Sequence, residues 1–164
     1  MPVSRAATPA IAALVTAGMP HEVLRYEHDP RAQSYGDEAV AALAGDSVVP
    51  EQIFKTLVIA SGSVLAVAVL PVPCKLSLKA AAAALGLSKV AMADQAAAER
   101  ATGYVLGGIS PLGQRKRLPT VIDSSALGFD RMLCSAGKRG WDVALAPQDL
   151  VRLTQAVTAD IRAV

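Results

Sequence analysis

Apolar residues recur at helical spacing in some stretches of this chain and run unbroken in another, and the contrast divides it into elements. Thr8-Pro9 followed by Ile11, Leu14 and Val15 predicts a capped helix with proline at its first position, ended by Gly18. From His21 to His28, Val23, Arg25 and Glu27 alternate with Leu24 and Tyr26, as on a half-buried strand that Asp29-Pro30 closes. Asp37 to Ala44 reads as a short helix stopped by Gly45. Phe54 to Ala60 and Val64 to Val72 are continuous apolar runs joined by Ser61-Gly62-Ser63, the pattern of a central hairpin buried on both faces. Ser77 caps a helix to Leu85, with Gly86 as its stop, and Asp94 caps another through Arg100. Lys89 to Met92, Pro119 to Asp123 and Arg131 to Ser135 suit short strands, residues 136 to 140 a loop, and Pro147 to Val157 a final amphipathic helix. Short strands and helices without regular βαβ alternation predict an α+β fold, and 164 residues fit one domain spanning 1–164.

Composition changes this picture in two places. Apolar residues make up 52% of the chain but aromatics only 4%, so alanine and aliphatic side chains must fill the core. The net charge of +2 announces no polyanion partner, but its distribution is uneven. Six basic and two acidic residues lie between Pro111 and Arg139, against six acidic and two basic between Tyr26 and Lys55. Thr56 to Cys74 carries no charge, yet its central Ser-Gly-Ser and its prolines suit two strands better than a membrane span. Met1-Pro2-Val3-Ser4-Arg5 lacks the apolar core of a signal peptide. Cys74 and Cys134 show no paired spacing and read as free thiols of a reducing cytoplasm. The scattered His and Cys residues form no metal-ligand motif.

The densest local signal runs from Thr102 to Arg117. Gly103, Gly107, Gly108, Gly113 and Pro111 exclude a regular helix, and the triplet Arg115-Lys116-Arg117 follows. Gly107-Gly108 suits a backbone that approaches a ligand and aims N–H groups at it, and the triplet would attract phosphate; a glycine-rich turn followed by a solvated charge cluster gives the same pattern. Lys138-Arg139 is a second basic pair that would complete a two-part phosphate clamp or stay solvated. Lys55 heads an apolar strand and shares a face with Leu57 and Ile59. It either reaches to the rim along its aliphatic stem or stands as a cation at a pocket mouth, anchoring a phosphate or the charge on a carbonyl oxygen. Tyr26 and Tyr35 bracket an acidic turn and suit either a pocket lining or the core rim. Ser135 and Asp142 invite a nucleophile reading, but no histidine follows Tyr35, which leaves a Ser–His–Asp triad weakly supported.

Taken together, Tyr26-Glu27-His28-Asp29-Pro30, Gly36-Asp37-Glu38, Phe54-Lys55-Thr56-Leu57, Met92-Ala93-Asp94, Thr102-Gly103-Tyr104, Gly107 to Gln114 and Gly137-Lys138-Arg139-Gly140 follow an order and spacing that resembles the YbaK-type proteins. These are free-standing Cys-tRNA(Pro) deacylases related to the editing domain of bacterial prolyl-tRNA synthetases. The resemblance covers about Thr8 to Ile161. It implies a single α+β domain with a central mixed, partly barrel-like sheet and surrounding helices. It implies hydrolysis of cysteine mischarged onto tRNA(Pro), with prolyl-tRNA synthetase as a transient partner and no metal, cofactor or membrane. Cysteine and proline are close in volume, so binding alone separates them poorly and a second site must reject the product. The resemblance makes Lys55 the family's lysine and implies a pocket of Tyr26, Tyr35, Thr56, Gly107, Gly108, Ile109, Ser110, Ser135 and Asp142. It implies substrate-assisted chemistry, in which the cysteine thiol attacks its own ester while Lys55 and the Gly107 and Gly108 N–H groups stabilise charge. Arg115, Lys116, Arg117, Lys138 and Arg139 are the candidate tRNA contacts. Two departures bear on acyl preference: Ala136 replaces one of two usual glycines and is expected to narrow the pocket or restrict the loop, and Pro73-Cys74 ends the second hairpin strand. A deacylase for alanyl or seryl esters, or a tRNA-binding module without catalysis, are the alternatives.

Overall fold

The computed structural model describes residues 7–29, 31, 34–45 and 47–164. Met1 to Arg5 and Pro30 lie outside the described residues. Among the described residues, eight strands form two sheets. The larger is mixed, in the order β4 (Ala91–Met92), β2 (Phe54–Ser61), β3 (Val64–Pro71), β5 (Thr120–Asp123), β8 (Val157–Ala159). The smaller is antiparallel: β1 (His21–Arg25), β7 (Trp141–Leu145), β6 (Met132–Lys138). A parallel bridge between Ile53 and Leu133 joins the two, giving a partly barrel-like α+β domain that does not close.

The helices begin and end where local chemistry dictates. Thr8 accepts the Ile11 N–H and Gly18 closes α1 (Pro9–Ala17) at φ 66°. Ser34 caps α2 (Tyr35–Leu43), Ser77 caps α3 (Leu78–Leu85) and Asp94 caps α4 (Gln95–Thr102); α5 spans Pro147–Thr154. The continuous apolar hairpin is buried on both faces as its pattern requires. Val58, Val67 and Val69 face one core with Leu14, Ile122 and Leu150, while Ile59, Ala66, Ala68 and Leu70 face a second beneath Ala81 and Ala82 of α3. Alanine on both surfaces lets α3 lie close to the sheet. No described helix is long and apolar enough to cross a membrane.

Two sequence expectations need correction, and one strand lies where the sequence predicted no element. Residues 136–140 are not a loop: β6 continues to Lys138, and a register shift between Ser135 and Lys138 leaves Ala136 and Gly137 as a bulge. Trp141–Leu145 is a strand held between β1 and β6, a pairing invisible to local pattern. The last helix stops at Thr154, and Val157–Ala159 instead pairs in parallel with β5.

Candidate functional site

The end of β3 and the start of β2 meet the small sheet and α2 around an open cavity of about 430 Å³. Lys55 stands on its wall, half-buried, and its Nζ donates to the Val72 carbonyl at 3.2 Å. An ammonium has three N–H bonds, so two remain for another acceptor. Burial lowers the Lys55 pKa, and the Cys74 and Asp37 side chains partly offset that by favouring the cation. Thr56 lines the same cavity, and its Oγ1 is buried with no hydrogen-bond partner among the described residues.

Opposite this wall, strand alternation sends Tyr26 and Asp142 to the cavity, and the regular β6–β7 register, ahead of the bulge, seats Ser135 directly across from Asp142. Asp142 is 5% exposed, and burial pushes its carboxyl up to about 7. Burial, together with the Asp142 charge, also raises the Tyr26 hydroxyl, which therefore stays a proton donor. The Tyr26 N–H bonds the Gly140 carbonyl, and Glu38 of α2 accepts from Asp29 N–H and pairs with His28 at 2.8 Å, so the turn after β1 is tied to the pocket helix.

A raised carboxyl pKa carries a stability signature. The folded chain keeps a proton on Asp142 that the unfolded chain releases from about pH 4 upward. This residue's contribution therefore falls as pH rises to about 7 and is constant above. Asp142→Asn is expected to be more stable than the parent at pH 8, by up to about 4 kcal/mol, with the gain vanishing near pH 4 in denaturant titrations.

The glycine loop supplies the third wall. Gly107 adopts φ +88° under the Tyr35 ring, and a Cβ there would lie 2.8 Å from two ring carbons and 3.0 Å from Arg139 Nε. Arg139 locks this stack: its guanidinium sits 4.8 Å from the Tyr35 ring centroid and donates to the Leu106 carbonyl at 2.8 Å. Gly107→Ala is expected to cost about 1–2 kcal/mol of stability and to displace Tyr35, reducing any activity of the pocket by a factor larger than the loss of folded protein explains. Thermal melts and single-turnover rates on the same samples check this.

The sequence-derived residues thus divide. Tyr26, Tyr35, Lys55, Thr56, Gly107, Ile109, Ser135 and Asp142 converge on the cavity. Gly108 does not line it: its N–H is spent on the Val105 carbonyl, and its Cα faces the Lys138 backbone at the hairpin tip. Ser110 is fully buried, its Oγ accepting from Leu112 N–H, so it holds the loop rather than facing a ligand. Ala136 points away from the cavity into the core with Leu14 and Cys134, and does not narrow the pocket. Cys134 is a buried thiol, whereas Cys74 is half-buried on the cavity wall. Arg115, Lys116 and Arg117 are exposed beside the end of α4, where Arg115 and Lys116 N–H groups bond the Thr102 and Ala101 carbonyls, away from the pocket lining. Asp37, Val72, Cys74 and Leu106 are walls that sequence reasoning left unassigned. Asp37 carried a signal within the Gly36-Asp37-Glu38 motif, and Cys74 within the Pro73-Cys74 departure at the end of the second hairpin strand.

Residues 30–153 match the model of the aminoacyl-tRNA editing domain family. A protein of Enterococcus faecalis, EbsC, whose name carries the provisional assignment of Cys-tRNA(Pro)/Cys-tRNA(Cys) deacylase, is 39% identical over 125 residues, covering 76% of this chain and 75% of that one. A solved structure described provisionally as a trans-editing enzyme for prolyl-tRNA synthetase superposes with a TM-score of 0.77 at 23% identity, covering 100% of this chain and 99% of the other. The hypothetical protein APE2540 superposes at 0.78 with 24% identity, over 92% and 96% of the two chains.

Proposed function

Since this chain belongs to the aminoacyl-tRNA editing family, we propose that it is a trans-editing hydrolase that removes cysteine mischarged onto tRNA(Pro). The observation that carries the reading is the Lys55 ammonium, with two unspent N–H bonds, in a cavity of about 430 Å³ that also holds Gly107, Ser135 and Asp142. A cavity of that size admits an aminoacyl ester and its ribose. Lys55 and the Gly107 N–H face the ester carbonyl and stabilise the oxyanion as it develops. Tyr26 and Asp142 orient the aminoacyl group from the opposite wall.

The chemistry uses the substrate's own thiol. Its sulfur bonds to the carbonyl carbon, the carbon–oxygen bond to the ribose breaks, and the ribose oxygen takes the proton released by the thiol. Water then opens the four-membered thiolactone to free cysteine. The protein contributes geometry and charge rather than a nucleophile, which suits a pocket with no histidine among its lining residues. It acts in the cytoplasm, where prolyl-tRNA synthetase forms the mischarged product and is a transient partner.

The test compares Cys-tRNA(Pro) with the 2-aminobutyryl, alanyl and seryl esters of the same tRNA. The cysteinyl ester is expected to be cleaved at least about tenfold faster than the isosteric 2-aminobutyryl ester, which carries a methyl in place of the thiol. Equal rates for those two would reject thiol assistance, and preference for the alanyl or seryl ester would replace the substrate while keeping the site.

A further inference from the structure

Two cations share one indole ring on the face of the small sheet opposite the pocket. The Arg25 guanidinium carbon lies 4.1 Å from the Trp141 ring centroid, and Lys138 Nζ lies 5.0 Å from it. The register explains the cluster, since Arg25 and Lys138 are both paired with Trp141 across β7. Neither cation has a carboxylate partner among the described residues; the exposed acid Glu22 of β1 is paired with Arg131 instead. Bringing two like charges onto one ring is unfavourable unless an anion joins them, and an exposed cation gains little from the ring alone. What the arrangement secures is order: two long side chains are held in place before an anion arrives, which lowers the cost of binding it.

The cluster continues to the pocket. Lys138 is followed by Arg139, which rounds the hairpin tip to the Tyr35 and Leu106 rim. Tyr26 and Asp142, the neighbours of Arg25 and Trp141, face the cavity itself. A chain of phosphates whose end lies in the pocket would therefore leave past Arg139 and meet Lys138 and Arg25.

We propose that Arg25, Trp141 and Lys138 form a preorganised platform for the phosphodiester backbone of the RNA whose acylated end enters the pocket. The proposal rests on the functional reading above. It assigns RNA contact to Arg25 and Trp141, which no sequence motif singled out, and gives Arg139 the separate task of bracing the glycine loop.

The test is binding of uncharged tRNA by filter retention or fluorescence across a salt series, which involves no ester chemistry. The double variant Arg25→Gln/Lys138→Gln is expected to bind about fivefold or more weakly at low salt. Its slope of log affinity against log salt is expected to be shallower by about 1.5–2, one counterion contribution per lost phosphate contact. Lys79→Gln/Lys89→Gln removes the same charge from a groove beside α3 and is expected to leave the slope unchanged. An unchanged slope in the first variant, an equal loss in the second, or no tRNA binding by the parent protein would overturn the platform. Ester cleavage by the parent with an unchanged slope in the first variant removes the platform alone. A platform-dependent slope in a protein that cleaves no ester removes the enzyme reading and leaves the platform standing.

Discussion

Replacing Lys55 by Ala is expected to lower the single-turnover rate of ester cleavage by about 10²–10³ while leaving the melting temperature unchanged or slightly raised. The rate follows from what the ammonium can do in the pocket. One N–H goes to the Val72 carbonyl and two remain for the oxyanion of the proposed reaction, and loss of one such donor from a preorganised site costs a factor of that order. The stability follows from burial. The strand does not need this cation, and its desolvation already lowers the pKa. Lys55→Met, which keeps the aliphatic stem and loses the charge, is expected to match Ala in rate. Lys55→Arg is expected to rescue little, because the planar fork cannot occupy the ammonium's place between Val72 and the ligand. The same desolvation predicts that activity falls at alkaline pH earlier than an ordinary lysine would dictate, since the proposed reaction uses the protonated form. Retention of full activity by Lys55→Met would remove Lys55 from the chemistry.

The second large effect is expected far from the pocket. Asp123 ends β5 fully buried, where its carboxylate accepts from Ile161 N–H at 2.9 Å, from Ser125 N–H at 3.2 Å and from the Ser125 hydroxyl, with Arg162 Nε at 3.5 Å. One side chain thus joins the short 3₁₀ turn Ser124–Gly128 to the segment after β8. Asp123→Ala leaves the buried Ile161 N–H without its acceptor and strips Arg162 of its inner partner. The expected cost is about 3–5 kcal/mol, which for a domain of this size lowers the melting temperature by about 6–20 °C. Asp123→Asn retains an acceptor oxygen and is expected to lose less. Calorimetry on the two variants checks both, and a loss under about 1 kcal/mol in Asp123→Ala would show that the carboxylate is not the tie described.

The contrast between these residues shows what a sequence can reveal. Helix starts and stops are local events: Thr8, Ser77 and Asp94 cap, Gly18, Gly86 and Gly103 stop, and each needs only its immediate neighbours. The central hairpin is equally legible, because a strand buried on both faces has no choice but an unbroken apolar run. Strands β7 and β8 were not legible, since each is defined by a distant partner: β1 for Trp141–Leu145 and β5 for Val157–Ala159. The bulge at Ala136-Gly137 hid in the same way, behind glycine and charge that also suit a loop.

The site divides along the same line. Tyr26 and Lys55 belong to recognisable motifs, Tyr35, Ser135 and Asp142 flank others, and the fold brings all five to one cavity. Ser110 and Gly108 belong to the same motif but turn inward, a difference set by the side-chain bond to Leu112 and the turn closed on Val105. Arg139 reads as a phosphate contact in the sequence, yet it spends its guanidinium on Tyr35 and Leu106. Cys74 and Val72 become pocket walls only because β3 ends where β2 begins.

The central claim is that this pocket hydrolyses an aminoacyl ester. The most direct measurement incubates the purified protein with Cys-tRNA(Pro) in single-turnover excess and follows the ester. Loss of the cysteinyl ester well above the spontaneous rate, abolished by Lys55→Ala, is the predicted result. An ester that persists at the spontaneous rate while the tRNA is bound would contradict it and leave a tRNA-binding module without catalysis.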